Sequence, residues 1–192
     1  MYYITHRIKS FPTFLILYQM PTTKRNTLST AKALAIRIYP DPILKQKTED
    51  AAYADHGLRL LIPQMVAIME KSQGIGLAAP QVGISKKIII VTEGGSSHAF
   101  LNPKIIKQSK EKEQDEEGCL SLPGLFVRIP RPKQVEILAQ TIDGEEVKII
   151  AKDLAARIFQ HEIDHIEGKL IIHRVSSLAR WKLRNQLKNL AK

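Results

Sequence analysis

Hydrophobic residues recur at helical spacing in three stretches of the chain. The first is residues 57–71, where Pro63 predicts that the helix begins close to the proline or bends there. The second begins near Asp153, is rich in helix formers and ends at Gly168. The third follows Ser176 and Ser177, which can cap a helix. The apolar face of the first helix consists of Leu61, Met65, Ile68 and Met69. That of the third helix consists of Ala179, Leu183, Leu187 and Leu190.

Shorter apolar stretches between the predicted helices indicate β-strands. The charged residues 107–117 separate two groups of these strands and indicate a solvated surface. Because the chain shows no regular strand–helix–strand alternation, the pattern predicts an α+β fold. Strands are predicted at 87–92, 100–103, 105–106, 127–131, 134–139 and 146–150, with turns at Gly94-Gly95 and Asp143-Gly144 and a bend between the second and third strands.

Charge is distributed unevenly along the chain. Its 192 residues fit one domain, and the formal net charge is +10. Residues 1–40 hold six Lys and Arg and no acidic residue, and residues 169–192 hold seven and none. We therefore predict a basic leader at 1–32, either disordered or a targeting segment, and one folded domain at 33–192. The basic ends suit an anionic partner, with improved solubility as the alternative explanation.

Cysteine content and hydropathy narrow the class of protein. Cys119 is the only cysteine, so an intramolecular disulfide is excluded and a reducing compartment is favoured. No run of 18 apolar residues is present, so we predict no membrane span.

The sequence His161-Glu-Ile-Asp-His165 lies in the second predicted helix. Residues four apart share a helix face, so His161 and His165 can bind one transition metal ion. Glu162 can then reach the open side of the metal and exchange protons with a water molecule. The alternative is a chance match on a polar surface helix, because this five-residue pattern is weak alone.

A catalytic metal site of this type needs a third protein ligand. Metzincin proteases place a third histidine where this chain has Ile171, and His173 falls two residues too late. Gluzincin proteases need a downstream acid, but no Asp or Glu follows Glu167. Cys119 is the remaining soft ligand, and its alternative role is that of an inert buried cysteine.

Three motifs together resemble those of the peptide deformylases, and the resemblance covers residues 33–192. The resemblance implies antiparallel β-sheets around the central helix with the HExDH motif, plus an N-terminal and a C-terminal helix. It also implies that Cys119, His161 and His165 bind one divalent metal ion, Fe(II) first, with Zn, Ni or Co as substitutes. The motifs are Gly74-Ile-Gly-Leu-Ala-Ala-Pro-Gln81, Glu117-Gly-Cys-Leu-Ser121 and Gln160-His-Glu-Ile-Asp-His165.

The reaction implied by the resemblance is removal of the formyl group from formylmethionine at the N-terminus of nascent polypeptides, releasing formate. Glu162 would act as general acid and base, and the Gln81 amide and the Leu120 N–H would donate to the oxyanion. Asp164 would pair with Arg131 as support, with an exposed carboxylate as the alternative. Candidate substrate-binding residues, for which plain core packing is the alternative, are Ile75, Gly76, Gly118, Leu154 and Ile158.

The implied partners are formylmethionyl nascent peptides and the ribosome, which the basic C-terminal helix would contact at ribosomal RNA near the exit tunnel. No free nucleic acid is expected as a substrate, and no membrane as a partner. We expect a cytoplasmic protein of bacterial type, with organellar import as the alternative because of the acid-free leader. A catalytically silent, ribosome-binding relative is the second hypothesis, and it would lack Glu162, Gln81 or a metal ligand.

Overall fold

The computed structural model describes residues 34–191, and the predicted leader at 1–32 lies outside this range. The helices in the described range are α1 (Leu58–Lys71), α2 (Asp153–Ile166), α3 (Ser177–Lys182) and α4 (Arg184–Leu190). The strands are β1 (Gly76–Ala78), β2 (Ile88–Glu93), β3 (Ser96–Gln108), β4 (Lys112–Gly118), β5 (Phe126–Pro132), β6 (Gln134–Gln140) and β7 (Glu146–Lys152). None of these helices has the length and hydropathy needed to cross a membrane.

The strands form two antiparallel sheets. The larger has the order β1-β2-β3-β6-β7, and the smaller pairs β4 with β5. Tight turns join neighbouring strands, and their glycines adopt positive φ angles of 58° at Gly94, 83° at Gly95 and 87° at Gly144. The predicted α+β class, the antiparallel sheets and the central motif helix are confirmed.

Strand β3 differs from the prediction of two short strands. It runs without interruption from Ser96 to Gln108, and its pairing with β6 shifts register after Leu101. Asn102 lies at this irregularity with φ of 52°. Its side-chain amide both accepts from the Ala51 N–H at 2.8 Å and donates to the Ala51 carbonyl at 2.9 Å. One strand with shifts in register therefore replaces the two short strands that were predicted.

Helix α1 occupies the predicted range of 57–71 and continues through Pro63. The proline ring is exposed, while Leu58, Ile62, Met65 and Met69 are buried against β1 and β2. A proline inside a helix removes one backbone hydrogen bond and costs about 3 kcal/mol. Burying four large apolar side chains at about 1.5–3 kcal/mol each outweighs that cost, so the helix begins well before the proline.

Helix α2 lies between the two sheets. Ala156, Phe159 and Ile163 pack into the core formed with β2 and β6, where Phe159 is 1% exposed. An adjacent face of α2 contacts β5 through polar side chains, among them Gln160, whose amide donates to the Pro132 carbonyl at 3.0 Å. The helix is therefore apolar towards one sheet and polar towards the other.

The C-terminal helix that the sequence predicts as one element is two short helices. The Leu183 N–H is shared between the carbonyls of Ala179 and Arg180, both at 3.2 Å, and this tightened turn separates α3 from α4. Ser176 caps α3 by accepting from the Ala179 N–H at 3.2 Å. Leu187 is buried in the same apolar cluster as Cys119, so α4 is anchored on the body of the domain.

Candidate metal centre

Helix α2 ends directly after the motif histidines. Gly168 has φ of 73°, which lets its N–H reach the His165 carbonyl at 3.0 Å while the Lys169 N–H reaches the Asp164 carbonyl at 2.8 Å. The His161 and His165 rings are neighbours on one helix face, with centroids 5.0 Å apart. Helical geometry therefore brings the two imidazoles to one point.

Cys119 comes to that point from the end of β4. A tight turn, in which the Leu122 N–H donates to the Cys119 carbonyl at 2.9 Å, directs the buried side chain towards α2. Its Sγ lies 3.3 Å from His165 Nε2. One ligand atom from each of Cys119, His161 and His165 lies within 4.8 Å of the others. A thiolate and two imidazoles are a donor set suited to one first-row transition metal ion.

Glu117 holds His161 in place, a role that was not predicted from the sequence. The prediction that residues 107–117 form a solvated surface is wrong at this position, because Glu117 is 2% exposed. Its Oε2 lies 3.0 Å from His161 Nδ1, which leaves Nε2 of that ring for the metal position. Strand alternation in the sequence could have indicated this role of Glu117, because a residue two before Cys119 points to the same side of an extended chain.

An arginine connects Glu117 with the motif helix. Arg131 donates from Nε to Glu117 Oε1 at 2.6 Å, from Nη2 to Glu117 Oε2 at 2.9 Å and from Nη1 to Asp164 Oδ2 at 2.9 Å. The contact between Asp164 and Arg131 that the sequence suggested is thus present. Two further arginines were not foreseen: Arg157 contacts Glu117, and Arg174 contacts Asp164.

A cleft of about 560 Å³ is lined by Arg131, Asp164 and Arg174 and by none of the three candidate metal ligands.

Glu162 is buried against the backbone of β1. A Cβ on Gly76 would overlap with Glu162 Oε1 and lie 2.9 Å from Ile158 Cγ2, so only glycine leaves room for this carboxylate. Oε2 of Glu162 has no hydrogen-bond partner among the described residues. Burial raises the pKa of Glu162 to about 7, against the opposing charge of His161.

The other ionisable groups respond to burial in different ways. Burial opposes the charged form of Glu117, but the hydrogen bonds from Arg131 and His161 outweigh it and hold its pKa below the usual range. Burial also opposes the charged form of His161, yet its contacts with Cys119 and Glu117 raise its pKa. For His165 burial prevails, and its pKa is lowered. A buried, neutral His165 is in the form that binds metal.

Gln81 lies in a short 3₁₀ turn, Ala79–Val82, that follows β1. Its Oε1 accepts from the Ala78 N–H at 2.9 Å, which fixes the orientation of the amide. Its Nε2 lies 3.7 Å from Cys119 Sγ and 3.3 Å from Ser121 Oγ. The amide donors of Gln81 are therefore directed at the loop that contains Cys119 and the half-buried Leu120.

The candidate substrate-binding residues lie on α2 and on the chain next to Gly76 and Cys119. Ile158 is buried beside Glu162, and Leu154 lies one turn earlier on α2 with 38% of its surface exposed. Ile75 is 39% exposed and directly precedes Gly76. Gly118 directly precedes Cys119, and a Cβ there would come within 2.8 Å of the Phe126 ring. Of these candidates, Ile75 and Leu154 are thus partly exposed apolar side chains.

A family model described as polypeptide deformylase matches residues 33–181. A peptide deformylase from Thermotoga petrophila is 41% identical over 157 residues, which cover 82% of this chain and 96% of the relative. A rice protein named peptide deformylase 1B, chloroplastic, is 40% identical over 80% of this chain and 59% of its own length.

Solved structures agree with these matches. The fold is similar to that of the peptide deformylase from Plasmodium falciparum, with a TM-score of 0.77 and 39% identity over 82% of this chain and 95% of that one. A plant peptide deformylase gives a TM-score of 0.79 with 38% identity, covering 85% of this chain and 92% of its own. Sequence, fold and the arrangement of the three motifs agree, and the chain belongs to the polypeptide deformylase family of enzymes.

Proposed function

We propose that this chain removes the formyl group from the formylmethionine of nascent polypeptides and releases formate, at a metal centre held by Cys119, His161 and His165. The observation that carries the proposal is the third ligand: Cys119 Sγ lies 3.3 Å from His165 Nε2, beside the two histidines of the motif helix. A cysteine in this role separates the site from the zinc proteases with the same helix motif. Membership of the deformylase family supports the substrate class.

The donor set fits Fe(II), and it fits Zn, Ni and Co as substitutes. A divalent ion held by these residues would supply the Lewis acidity that makes water a nucleophile near neutral pH. Glu117 contacts Nδ1 of His161 at 3.0 Å, so Nε2 of that ring would be the atom that holds the ion. The two carboxylates of this site therefore have separate roles: Glu117 orients a ligand, and Glu162 exchanges protons.

Glu162 takes a proton from the attacking water and donates it to the amine nitrogen that leaves. The side chain is buried, and its Oε2 has no partner among residues 34–191, so one oxygen is available to a water molecule. Its pKa, raised by burial to about 7, suits a group that must both accept and donate a proton.

The tetrahedral intermediate carries a negative oxygen that requires hydrogen-bond donors. The Gln81 amide supplies one, because Ala78 holds its oxygen and leaves Nε2 facing the Cys119 loop. The Leu120 N–H supplies the second, next to Cys119 in the chain. Removing one such donor costs about 3–4 kcal/mol of transition-state stabilisation in other hydrolases.

The methionine side chain would bind among Ile75, Leu154 and Ile158, with Gly76 and Gly118 leaving space for the peptide backbone. Ile75 and Leu154 are 39% and 38% exposed, so a bound side chain would cover apolar surface that is now in contact with water. Full burial of a methionine side chain contributes about 1.5–3 kcal/mol.

The C-terminal helices would contact the ribosome. Leu187 is buried and fixes α4 to the domain, while the cationic side chains of Lys182, Arg184 and Lys188 are exposed. The Arg184 guanidinium lies 3.9 Å from the centre of the exposed Trp181 ring. A cationic surface beside an aromatic ring suits ribosomal RNA, where phosphate neutralisation releases counterions. A bacterial cytoplasmic location fits this partner, with organellar import as the alternative.

A catalytically silent, ribosome-binding relative is the competing function. Its signature would be the loss of a metal ligand, Gln81 or Glu162, and all of them are in the sequence.

Metal analysis and turnover of a formylmethionyl peptide test the proposal together. The purified protein should hold one metal ion per chain, lose it in Cys119→Ala, and keep it in Glu162→Ala while that variant loses at least about 10²–10⁴-fold in turnover. Metal-loaded wild-type protein without turnover would instead support the silent relative. Loss of metal in Glu162→Ala would make that residue a ligand and contradict the assigned role.

A further inference from the structure

Arg157 is a buried cation with no role in the reaction proposed above. It lies on α2, four residues before His161, and is 5% exposed. Its Nη1 donates to Glu117 Oε1 at 2.7 Å and to the Ile129 carbonyl at 3.1 Å, and its Nη2 donates to the Glu113 carbonyl at 2.8 Å. Removing a guanidinium from water costs several kcal/mol. A hydrophobic side chain would fill the same space without that cost, so the charge requires an explanation.

The explanation lies in how Glu117 is held. Its Oε1 accepts from Arg131 Nε at 2.6 Å and from Arg157 Nη1 at 2.7 Å. Its Oε2 accepts from Arg131 Nη2 at 2.9 Å and lies 3.0 Å from His161 Nδ1. Each carboxylate oxygen therefore has two partners, and the plane of the carboxylate is fixed from both sides.

The two arginines hold Glu117 from different elements. Arg131 belongs to β5, which pairs with the strand of Glu117, whereas Arg157 belongs to the helix that carries both histidines. Because Arg157 and His161 are one turn apart, they share a face of α2. The two side chains contact the two oxygens of the same carboxylate. Glu117 is thereby fixed relative to α2 itself, not only relative to its own sheet.

We infer that Arg157 is a positioning residue of the metal centre: by fixing Glu117, it holds the His161 ring with Nε2 directed towards Cys119 and His165. The inference rests on the proposed function only in taking His161 as a metal ligand. Hydrogen-bond partners of metal-bound histidines typically contribute about 10–100-fold to metal affinity. Arg157 acts one step further out, through the carboxylate.

A purely structural role is the competing explanation, since Arg157 also ties two strand carbonyls to α2. The Arg157→Lys variant separates the two roles. A lysine ammonium keeps one strong donor for Glu117 but loses the planar fork that serves Ile129 and Glu113. The positioning role predicts that Arg157→Lys keeps metal affinity within about threefold of wild type although its stability falls, and that Arg157→Met loses affinity by about tenfold, the low end of that range, because it acts through Glu117.

The experiment measures zinc affinity of the full-length chain by competition with a chromophoric chelator, at a temperature where circular dichroism reports every variant as folded. Arg128→Met is the matched control, because Arg128 is exposed on the same strand as Ile129 and should leave affinity unchanged. The d–d spectrum of the cobalt-loaded protein should change in Arg157→Met and be preserved in Arg157→Lys. This spectrum reports ligand geometry, which a loss of stability alone does not alter.

A second background tests whether Arg157 acts through Glu117. In Glu117→Gln, adding Arg157→Met should weaken zinc binding by less than about threefold, because the carboxylate that transmits the effect is gone. Wild-type affinity in folded Arg157→Met, an equal loss in Arg157→Lys, or an undiminished loss in the Glu117→Gln background would each overturn the inference. Failure of wild-type protein to bind zinc, or zinc binding retained in Cys119→Ala, would instead contradict the proposed metal site.

Discussion

Replacing Glu162 with glutamine should change how the stability of the metal-free protein depends on pH. The carboxyl group is 4% exposed, and burial raises its pKa to about 7 from an ordinary 4.5. The unfolded chain releases this proton near pH 4.5, whereas the folded protein keeps it to about pH 7. The folded state therefore binds more protons between these values, and its free energy of unfolding falls as the pH rises through them.

The size of the effect follows from that difference in pKa. About 1.4 kcal/mol per pH unit, over the interval between 4.5 and about 7, corresponds to about 3 kcal/mol. Glutamine has nearly the same shape and does not titrate. Relative to wild type, Glu162→Gln should therefore gain about 2–3 kcal/mol of stability between about pH 5 and about pH 8.

Urea unfolding of the metal-free proteins, with chelator and a thiol reductant present, measures this difference. Glu167→Gln is the control, because Glu167 is exposed just beyond the end of the same helix and pairs with Lys169 at the surface. It should show no comparable pH-dependent gain. A constant stability difference between Glu162→Gln and wild type across the pH range would refute the reasoning.

Three further predictions concern activity and docking. Gln81→Leu should lower kcat by about 10²–10³-fold with little effect on binding of the deformylated product, and equal losses in both would make Gln81 a ground-state contact. Gly76→Ala should displace Glu162, because the added methyl overlaps with Oε1, so turnover should fall while the metal is retained; wild-type kcat would contradict this. Replacing Lys182, Arg184 and Lys188 with Glu should abolish ribosome co-sedimentation, while turnover of a short formylmethionyl peptide stays nearly unchanged. Undiminished co-sedimentation of that variant would refute the docking proposal.

The local features of the site could be predicted from the sequence because they depend on short-range geometry. A spacing of four residues in a helix fixes the relation between His161 and His165, and Gly168 marks where that helix ends. The paired strands and their glycine turns follow from alternation and from the few residues that tolerate positive φ. Cys119 was the remaining soft ligand in the sequence, and the resemblance of its motif to a known family favoured it as the third candidate ligand.

Strand alternation places Glu117 on the same side of the chain as Cys119, but its burial could not be predicted in the same way, because that burial depends on residues distant in the chain. It ends a stretch of charged residues, and the local pattern there favours solvent. Its partners Arg131 and Arg157 come from β5 and α2, 14 and 40 residues away. A carboxylate is buried only when such cations are supplied, and a single sequence does not show which ones meet. The burial of α1 around Pro63 has the same origin in tertiary packing.

The close spacing of Glu117 and Cys119 bears on which parts of the chain can vary in length. Glu117 and Cys119 are separated only by Gly118 at the end of β4, so one inserted residue would turn either the carboxylate or the thiol to the other side of the chain. The turn before Lys112 lies at the opposite end of this seven-residue strand, about 20 Å away. Insertions and deletions among natural relatives should therefore accumulate at that distant turn, while the spacing from Glu117 to Cys119 stays constant.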